Sequence, residues 1–264
     1  MIPSAIPAGF FPYLFPAAAA VLGLVLGSFY SVCVSRGIAG TSIVRPPSHC
    51  PRCGHRLRWW ELLPLVSYLL LRGRCSACRE RISPLYPLIE LTSAVWATLA
   101  AITFGPGWWF VAFLALGGIY IVASAIDLQT YLLPDFLTYP AAVLGIAMGI
   151  LRPGIGLWPA LIGAAVGFGL FWLLAAAYRR AKGVDGLGGG DVKLMLSIGG
   201  AVGALGLPYA VLVGSLAALV SSPFFIMGQG RGRSMPIPFG PFLCFGAMVQ
   251  MLYGPALFHL LARR

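Results

Sequence analysis

The stretch VDGLGGGDVKLM, Val184 to Met195, stands between two apolar blocks, and its reading decides the fold. A glycine-rich run ahead of a helix is the outline of a nucleotide or S-adenosylmethionine fingerprint. That fingerprint requires a preceding strand and a following soluble helix. Here AAAYRRAKG (Ala175–Gly183) precedes it and a segment apolar enough to enter a membrane comes after it. The stretch is therefore a loop at a membrane surface, and it sets a carboxylate, Asp191, at the mouth of a span.

Composition supports this. Of 264 residues, 59% are hydrophobic and only 9% charged, where a soluble domain would carry about a quarter charged residues. Mean hydropathy is +0.89. The chain is expected to be an all-α polytopic membrane protein whose environment is the lipid bilayer. Its net charge of +11 is read as cytoplasmic loop charge, because no nucleic-acid motif accompanies it. The N-terminal MIPSAIPAGF lacks a basic region before its apolar run, so the first apolar segment is expected to stay as a span.

A span needs about 20 apolar residues. Eight segments qualify: 13–34, 87–104, 108–126, 136–151, 157–177, 192–207, 208–227 and 239–261, the sixth short and glycine-rich. Pro and Gly mark the joins FGPGWW, LRPGIG and LGLPYA. Nine arginines lie between Arg36 and Arg81, and Arg179, Arg180, Lys182, Lys193, Arg231 and Arg233 fall on the same side of an eight-span path. Only Arg152, Arg263 and Arg264 fall on the other. The positive-inside rule puts the larger group in the cytoplasm and both termini outside.

The large polar loop after span one carries Cys50-Pro-Arg-Cys53 and Cys75-Ser-Ala-Cys78, 21 residues apart. Two such knuckles match a tetrahedral structural zinc site, with flanking basic residues favouring thiolates. Disulfides are disfavoured in the cytoplasm, and a redox role lacks a surrounding βαβ pattern. His49 and His55 are read as surface residues, Cys33 and Cys244 as small core residues. The apolar run Leu62–Leu71 is too short to span and is expected at the interface or against the bundle.

The seven acids are Glu61, Glu80, Glu90, Asp127, Asp135, Asp185 and Asp191. Asp127 ends span three and Asp191 opens span six, both at the cytoplasmic mouth. Acids at span ends are costly, and functional by default. Two converging carboxylates can share a proton, one activating water and the other polarising a carbonyl. Gly188 and Gly190 let backbone pass close to a substrate, and the helix N-terminus favours a charged Asp191. Singly, Asp191 reads as a helix cap and Asp127 as a loop acid. Asp135 reads as the cap of span four, with a supporting role at the site, as for Lys193. Asp185 reads as solvated. His-Glu-x-x-His is absent, which excludes a zinc protease of that class. A serine dyad has no Gly-x-Ser-Gly, and the only histidine in a span is His259, read as interfacial.

These residues fall into an ordered set: GSFYSVCVSR (Gly27–Arg36), the knuckles, LRGRC (Leu71–Cys75), ISPLYPLIEL (Ile82–Leu91), DLQTYLLPD (Asp127–Asp135), GGGDVKL (Gly188–Leu194) and IPFGPFL (Ile237–Leu243). The set resembles the bacterial prepilin peptidases, or type IV leader peptidases, within the Gly-x-Gly-Asp membrane aspartyl proteases. The resemblance implies an inner-membrane enzyme. It would cut the basic leader from type IV prepilins and type II secretion pseudopilins after a glycine, on the cytoplasmic face. It implies Asp127 and Asp191 as the catalytic pair, and N-methylation of the new N-terminus from S-adenosylmethionine. It divides the chain into three parts: 1–35 as the first span, 36–86 as the cysteine loop tied to methylation, and 87–264 as the peptidase core. The chain departs from the family pattern at WELLPL, which keeps Glu61 and Pro64, and at Tyr30 and Ser31. Glu61, Glu80 and Glu90 are candidates to meet the basic leader. The competing readings are an ion-coupled transporter, which calls for internal repeats and mid-membrane acids, and a scaffold in which both aspartates are dispensable.

Overall fold

The computed structural model describes residues 11–184, 186–228 and 238–262. Asp185, Arg231, Arg233, Arg263 and Arg264 lie outside these, as does the side chain of His259. Secondary structure among the described residues is helical, apart from two isolated bridges, His49–Arg56 and Arg74–Arg81. The chain forms two compact units, 1–125 and 126–264.

In the first unit, α1 (Phe11–Ala39) packs on α3 (Leu85–Phe104). The contact is backbone to backbone: a Cβ on Gly23 would lie 2.5 Å from Ser93 O, and one on Gly27 2.6 Å from Glu90 Cα. Small residues permit this approach where lipid supplies no hydrophobic drive between helices. Between α1 and α3 run the cysteine loop, a 3₁₀ turn at Trp59–Leu62 and the short α2 (Val66–Leu70). The apolar run Leu62–Leu71 does not span; Leu69 and Leu70 are exposed. The long helix α4 (Trp108–Thr130) carries the chain into the second unit.

The second unit holds α5 (Asp135–Leu151), α6 (Leu157–Lys182), α7 (Gly189–Gly228) and α8 (Gly240–Ala262). The helix α7 is not one rod. Gly203 sits at φ 72°, ψ 171°, a conformation nearly closed to other residues. Contacts with α8 fix the direction of the chain beyond it. A Cβ on Gly240 would lie 3.3 Å from Asp191 Oδ1, and one on Gly214 2.6 Å from Phe242 O. Asp191 and Gly214 thus both flank the first turn of α8, although 23 residues of straight helix would hold them about 34 Å apart. The chain reverses at Gly203, and α7 is a hairpin of two limbs.

Five helices are long and apolar enough to cross a membrane, and Asp135–Leu151 is a shorter apolar helix. Counting the limbs of α7 separately and adding α8 recovers the eight expected segments. The turn between the sixth and seventh moves from LGLPYA back to Gly203. Pro208 lies one turn into the second limb, near enough to its start to cost few ladder bonds.

The first limb is the core of this unit. Leu194, Met195 and Ile198 are fully buried. A Cβ on Gly199 would lie 2.0 Å from Gly163 O of α6, and one on Gly149 of α5 would lie 1.9 Å from Gly200 O. Ser197 Oγ donates to Ala141 O at 2.7 Å. Gly199→Val is expected to destabilise the protein by about 3 kcal/mol or more, at the upper end of core overpacking. Gly169→Ala, whose Cβ meets open space, should not. Thermal unfolding in detergent checks this, and equal melting temperatures would contradict the glycine packing.

Candidate active site

Asp127 lies in the last turn of α4 and Asp191 in the first turn of α7. The two aspartates, 64 residues apart in the chain, are brought to one place. Both are buried, at 4% and 8% exposure. The residue between them is Gly240, the first of α8. Its N–H donates to Asp127 Oδ2 at 3.1 Å. A Cβ added there would stand 2.7 Å from Asp127 Oδ2 and 3.3 Å from Asp191 Oδ1. Those two oxygens therefore lie no more than 6.0 Å apart, the sum of the two distances.

The partners differ. Asp127 Oδ2 receives a main-chain donor at the N-terminus of α8, an end with unpaired N–H groups and partial positive charge. Asp191 Oδ1 is buried with no hydrogen-bond partner. An orphaned buried oxygen is costly, and this one stands near a second buried carboxylate. Gly240 was not singled out from sequence, though it stands within the quoted IPFGPFL. The only available signal was a glycine flanked by prolines opening an apolar run.

Of the glycines ahead of Asp191, Gly190 makes a close contact within the chain. A Cβ on Gly190 would lie 2.5 Å from Leu133 Cβ and 2.8 Å from Leu133 O. Gly190 thus admits this chain's own loop between α4 and α5. That loop turns at Tyr131, which holds φ 57°. Gly188 lies beside Asp191, its added Cβ 3.3 Å from Oδ2.

The cap expected at Asp135 is not formed. Pro134 occupies the cap position and no side chain caps α5. The Asp135 carboxylate instead accepts from Lys193 Nζ at 2.6 Å, and Lys193 also sits 5.2 Å from the centroid of the Tyr139 ring. This pair ties α5 to α7 two residues from Asp191. Asp191 is likewise no cap, because α7 begins at Gly189.

In the first unit, the sulfurs of Cys50, Cys53, Cys75 and Cys78 lie within 4.8 Å of one another, with Cys50 and Cys78 at 3.9 Å. A tetrahedral ion with 2.3 Å bonds needs sulfurs about 3.8 Å apart, so the cluster could hold a metal. The knuckles have matching turns: Gly54 N donates to Cys50 O and Arg79 N to Cys75 O. Gly54 and Arg79 both hold positive φ. Backbone N–H groups of Cys78 and Ala77 pull the Cys75 thiol down to about 7. Against the lowering effect of the Glu80 N–H, desolvation and the sulfurs of Cys53, Cys75 and Cys50 push Cys78 up to about 12. A bound dication would remove that conflict.

The three glutamates have internal partners. Glu80 pairs with Arg52 across the knuckles at 3.6 Å. Glu90 Oε2 accepts from Leu65 N at 2.8 Å. Glu61 Oε2 accepts from Arg58 N at 2.6 Å and pairs with His55 at 3.3 Å. Burial pushes the Glu61 carboxyl up, but the Arg58 N–H and the Ser76 and His55 side chains outweigh it and hold it below its ordinary value. Glu61 and Glu90 are buried, so they brace the loop and offer no open surface to a basic leader. His55, read as a plain surface residue, is part of that brace.

Comparison with known proteins shows the family of the chain. Residues 21–104 match the Bacterial Peptidase A24 N-terminal domain and residues 114–222 the Type IV leader peptidase family. A Prepilin leader peptidase/N-methyltransferase of Burkholderia pseudomallei is 37% identical, over 93% of this chain and 87% of that protein. Proteins of the same name from Xanthomonas campestris pv. campestris and Pseudomonas aeruginosa are 35% and 34% identical. They align over 91% and 92% of this chain and equal shares of their own. No solved structure matches. Cys75→Ser is expected to strip the knuckles of bound metal, read by elemental analysis of purified protein. Undiminished metal content would contradict a four-sulfur site.

Proposed function

The chain belongs to the type IV leader peptidase family, and on that premise we propose that Asp127 and Asp191 are the catalytic pair of a membrane aspartyl endopeptidase. Its substrates are type IV prepilins and type II secretion pseudopilins. It cleaves after the glycine that ends the basic leader, and N-methylation of the new N-terminus comes next. The observation that carries this is the pair of buried carboxylates on either side of Gly240.

The unequal partners divide the roles. Two carboxylates so close and so buried hold one negative charge between them. The Gly240 N–H favours the charge on Asp127, and the unpartnered oxygen of Asp191 favours the proton there. Asp127 takes a proton from water as its oxygen attacks the scissile carbonyl carbon. Asp191 gives its proton to the carbonyl oxygen, forming a neutral gem-diol. Collapse of the diol breaks the C–N bond: Asp191 recovers a proton from a diol hydroxyl and Asp127 passes its own to the leaving amine. The leader leaves with a carboxyl terminus, the pilin with an amino terminus, and the dyad is restored.

We assign the chain to the bacterial inner membrane with the dyad toward the cytoplasm, from the placement of its arginines. The parts we propose are the first helix (1–35), the cysteine loop serving methylation (36–86) and the peptidase core (87–264). Zinc is the metal that fits four cysteines in paired knuckles. S-adenosylmethionine would supply an electrophilic methyl group to the pilin amine. A transporter would hold its acids at mid-membrane; these lie in terminal helical turns.

Purified protein in detergent, given a prepilin and S-adenosylmethionine and read by mass spectrometry, tests the reading. Wild type should lose the leader and gain one methyl group. Asp127→Asn and Asp191→Asn should each slow cleavage about a thousandfold or more while remaining folded. Normal cleavage by either folded variant would overturn the dyad.

A further inference from the structure

The cysteine loop carries an apolar surface that neither the dyad nor the knuckles use. Between the two knuckles, Trp59, Leu62, Leu63, Val66, Leu69 and Leu70 are exposed, the last two at 73% and 72%. So many large apolar side chains in one short segment mark a surface that something covers. Two observations say what does.

The first is depth. Leu65 N donates to Glu90 Oε2 at 2.8 Å. Glu90 lies in the second turn of α3, about 8 Å from the start of the helix, and α3 is long and apolar enough to cross a membrane. The middle of the apolar segment is therefore held beside the second turn of a span. Leu88 and Leu91 of α3 are themselves exposed at that level, as lipid-facing residues are. A carboxylate there is costly without a partner, and the segment supplies one. This bond keeps the segment at the membrane boundary and out of open water.

The second is charge. Arg56 and Arg58 precede the segment, Arg72 and Arg74 follow it, and all four are exposed. Among the described residues none of the four guanidiniums pairs with an acid: Glu80 holds Arg52, while Glu61 holds the Arg58 N–H and His55. Residues 36–86 contain nine arginines and two glutamates. The partner is therefore anionic as well as apolar. A basic leader would be repelled, and a nucleic acid would leave the leucines uncovered. Leucines bracketed by arginines, with a tryptophan at the edge, have the composition of a segment lying in the headgroup layer.

We propose that residues 59–71 are an interfacial anchor that docks the cysteine loop on an anionic phospholipid surface. The leucines and Val66 enter the acyl boundary, and Trp59 sits at the headgroup level. Arg56, Arg58, Arg72 and Arg74 take lipid phosphates, a charge-assisted contact.

Photocrosslinking of full-length protein in vesicles tests this. Leu69→p-benzoylphenylalanine and Leu70→p-benzoylphenylalanine are each reconstituted in phosphatidylcholine with or without phosphatidylglycerol, and adducts are read by mass spectrometry. Both sites should give lipid adducts in the anionic vesicles. Omitting phosphatidylglycerol, or combining Arg72→Gln with Arg74→Gln, should lower the yield about threefold or more. Should the arginine variant fail to fold, the omission of phosphatidylglycerol decides alone. Absence of lipid adducts, adducts to a second copy or to added prepilin in their place, or yields indifferent to phosphatidylglycerol would each overturn the proposal. Because the readout is a lipid adduct and not leader cleavage, the result is independent of the dyad.

Discussion

The second unit depends on contact between helix backbones. Gly199 and Gly200 of α7 meet Gly163 of α6 and Gly149 of α5 at distances that leave no room for a Cβ. In a membrane, where burial of apolar side chains gains little against lipid, such contacts replace the hydrophobic core. They also immobilise the limb, because no side chains stand between the backbones to relax. Asp191 sits at the open end of that limb. Its position is therefore set by main-chain packing two to three turns away.

The same logic recurs at the site. Gly190 admits Leu133 and so brings the end of α4 against the start of α7. Gly240 lets the start of α8 pass between the two carboxylates and gives its N–H to one of them. Each aspartate then has its own electrostatic setting: Asp127 takes a backbone donor from the start of α8, whereas Asp191 has a backbone donor, Gly188, at its own helix start and leaves Oδ1 unpaired. Under the proposed roles, a water-activating base and a carbonyl-polarising acid draw on this asymmetry. Lys193 and Asp135 hold α5 to α7 at the rim, an exposed tie whose value lies in register more than in stability.

Much of this was legible in the residues. Apolar run length located the helices, and the scarcity of acids drew attention to Asp127 and Asp191. Two Cys-x-x-Cys pairs at knuckle spacing announced a four-sulfur cluster that could hold a metal. The misreadings have physical causes. Pro208 punctuates more loudly than Gly203, yet proline is tolerated near the start of a helix, and one glycine among many shows no sign of its φ. Asp135 has the composition of a cap, but its partner, Lys193, lies 58 residues away. The role of Gly240 depends on a missing side chain, and only the neighbouring carboxylates reveal it. Arg79, at a position where its counterpart is Gly54, shows that knuckle geometry can override residue preference.

The central claim is that Asp127 and Asp191 work as one unit holding a single proton. The pH dependence of kcat/KM for leader cleavage tests it most directly, because it reports the ionisations of the free enzyme. The account predicts a bell: activity falls at low pH as the second carboxylate is protonated and at high pH as the shared proton is lost. A rate that rises with pH to a plateau and stays there, as for a lone base, would contradict it.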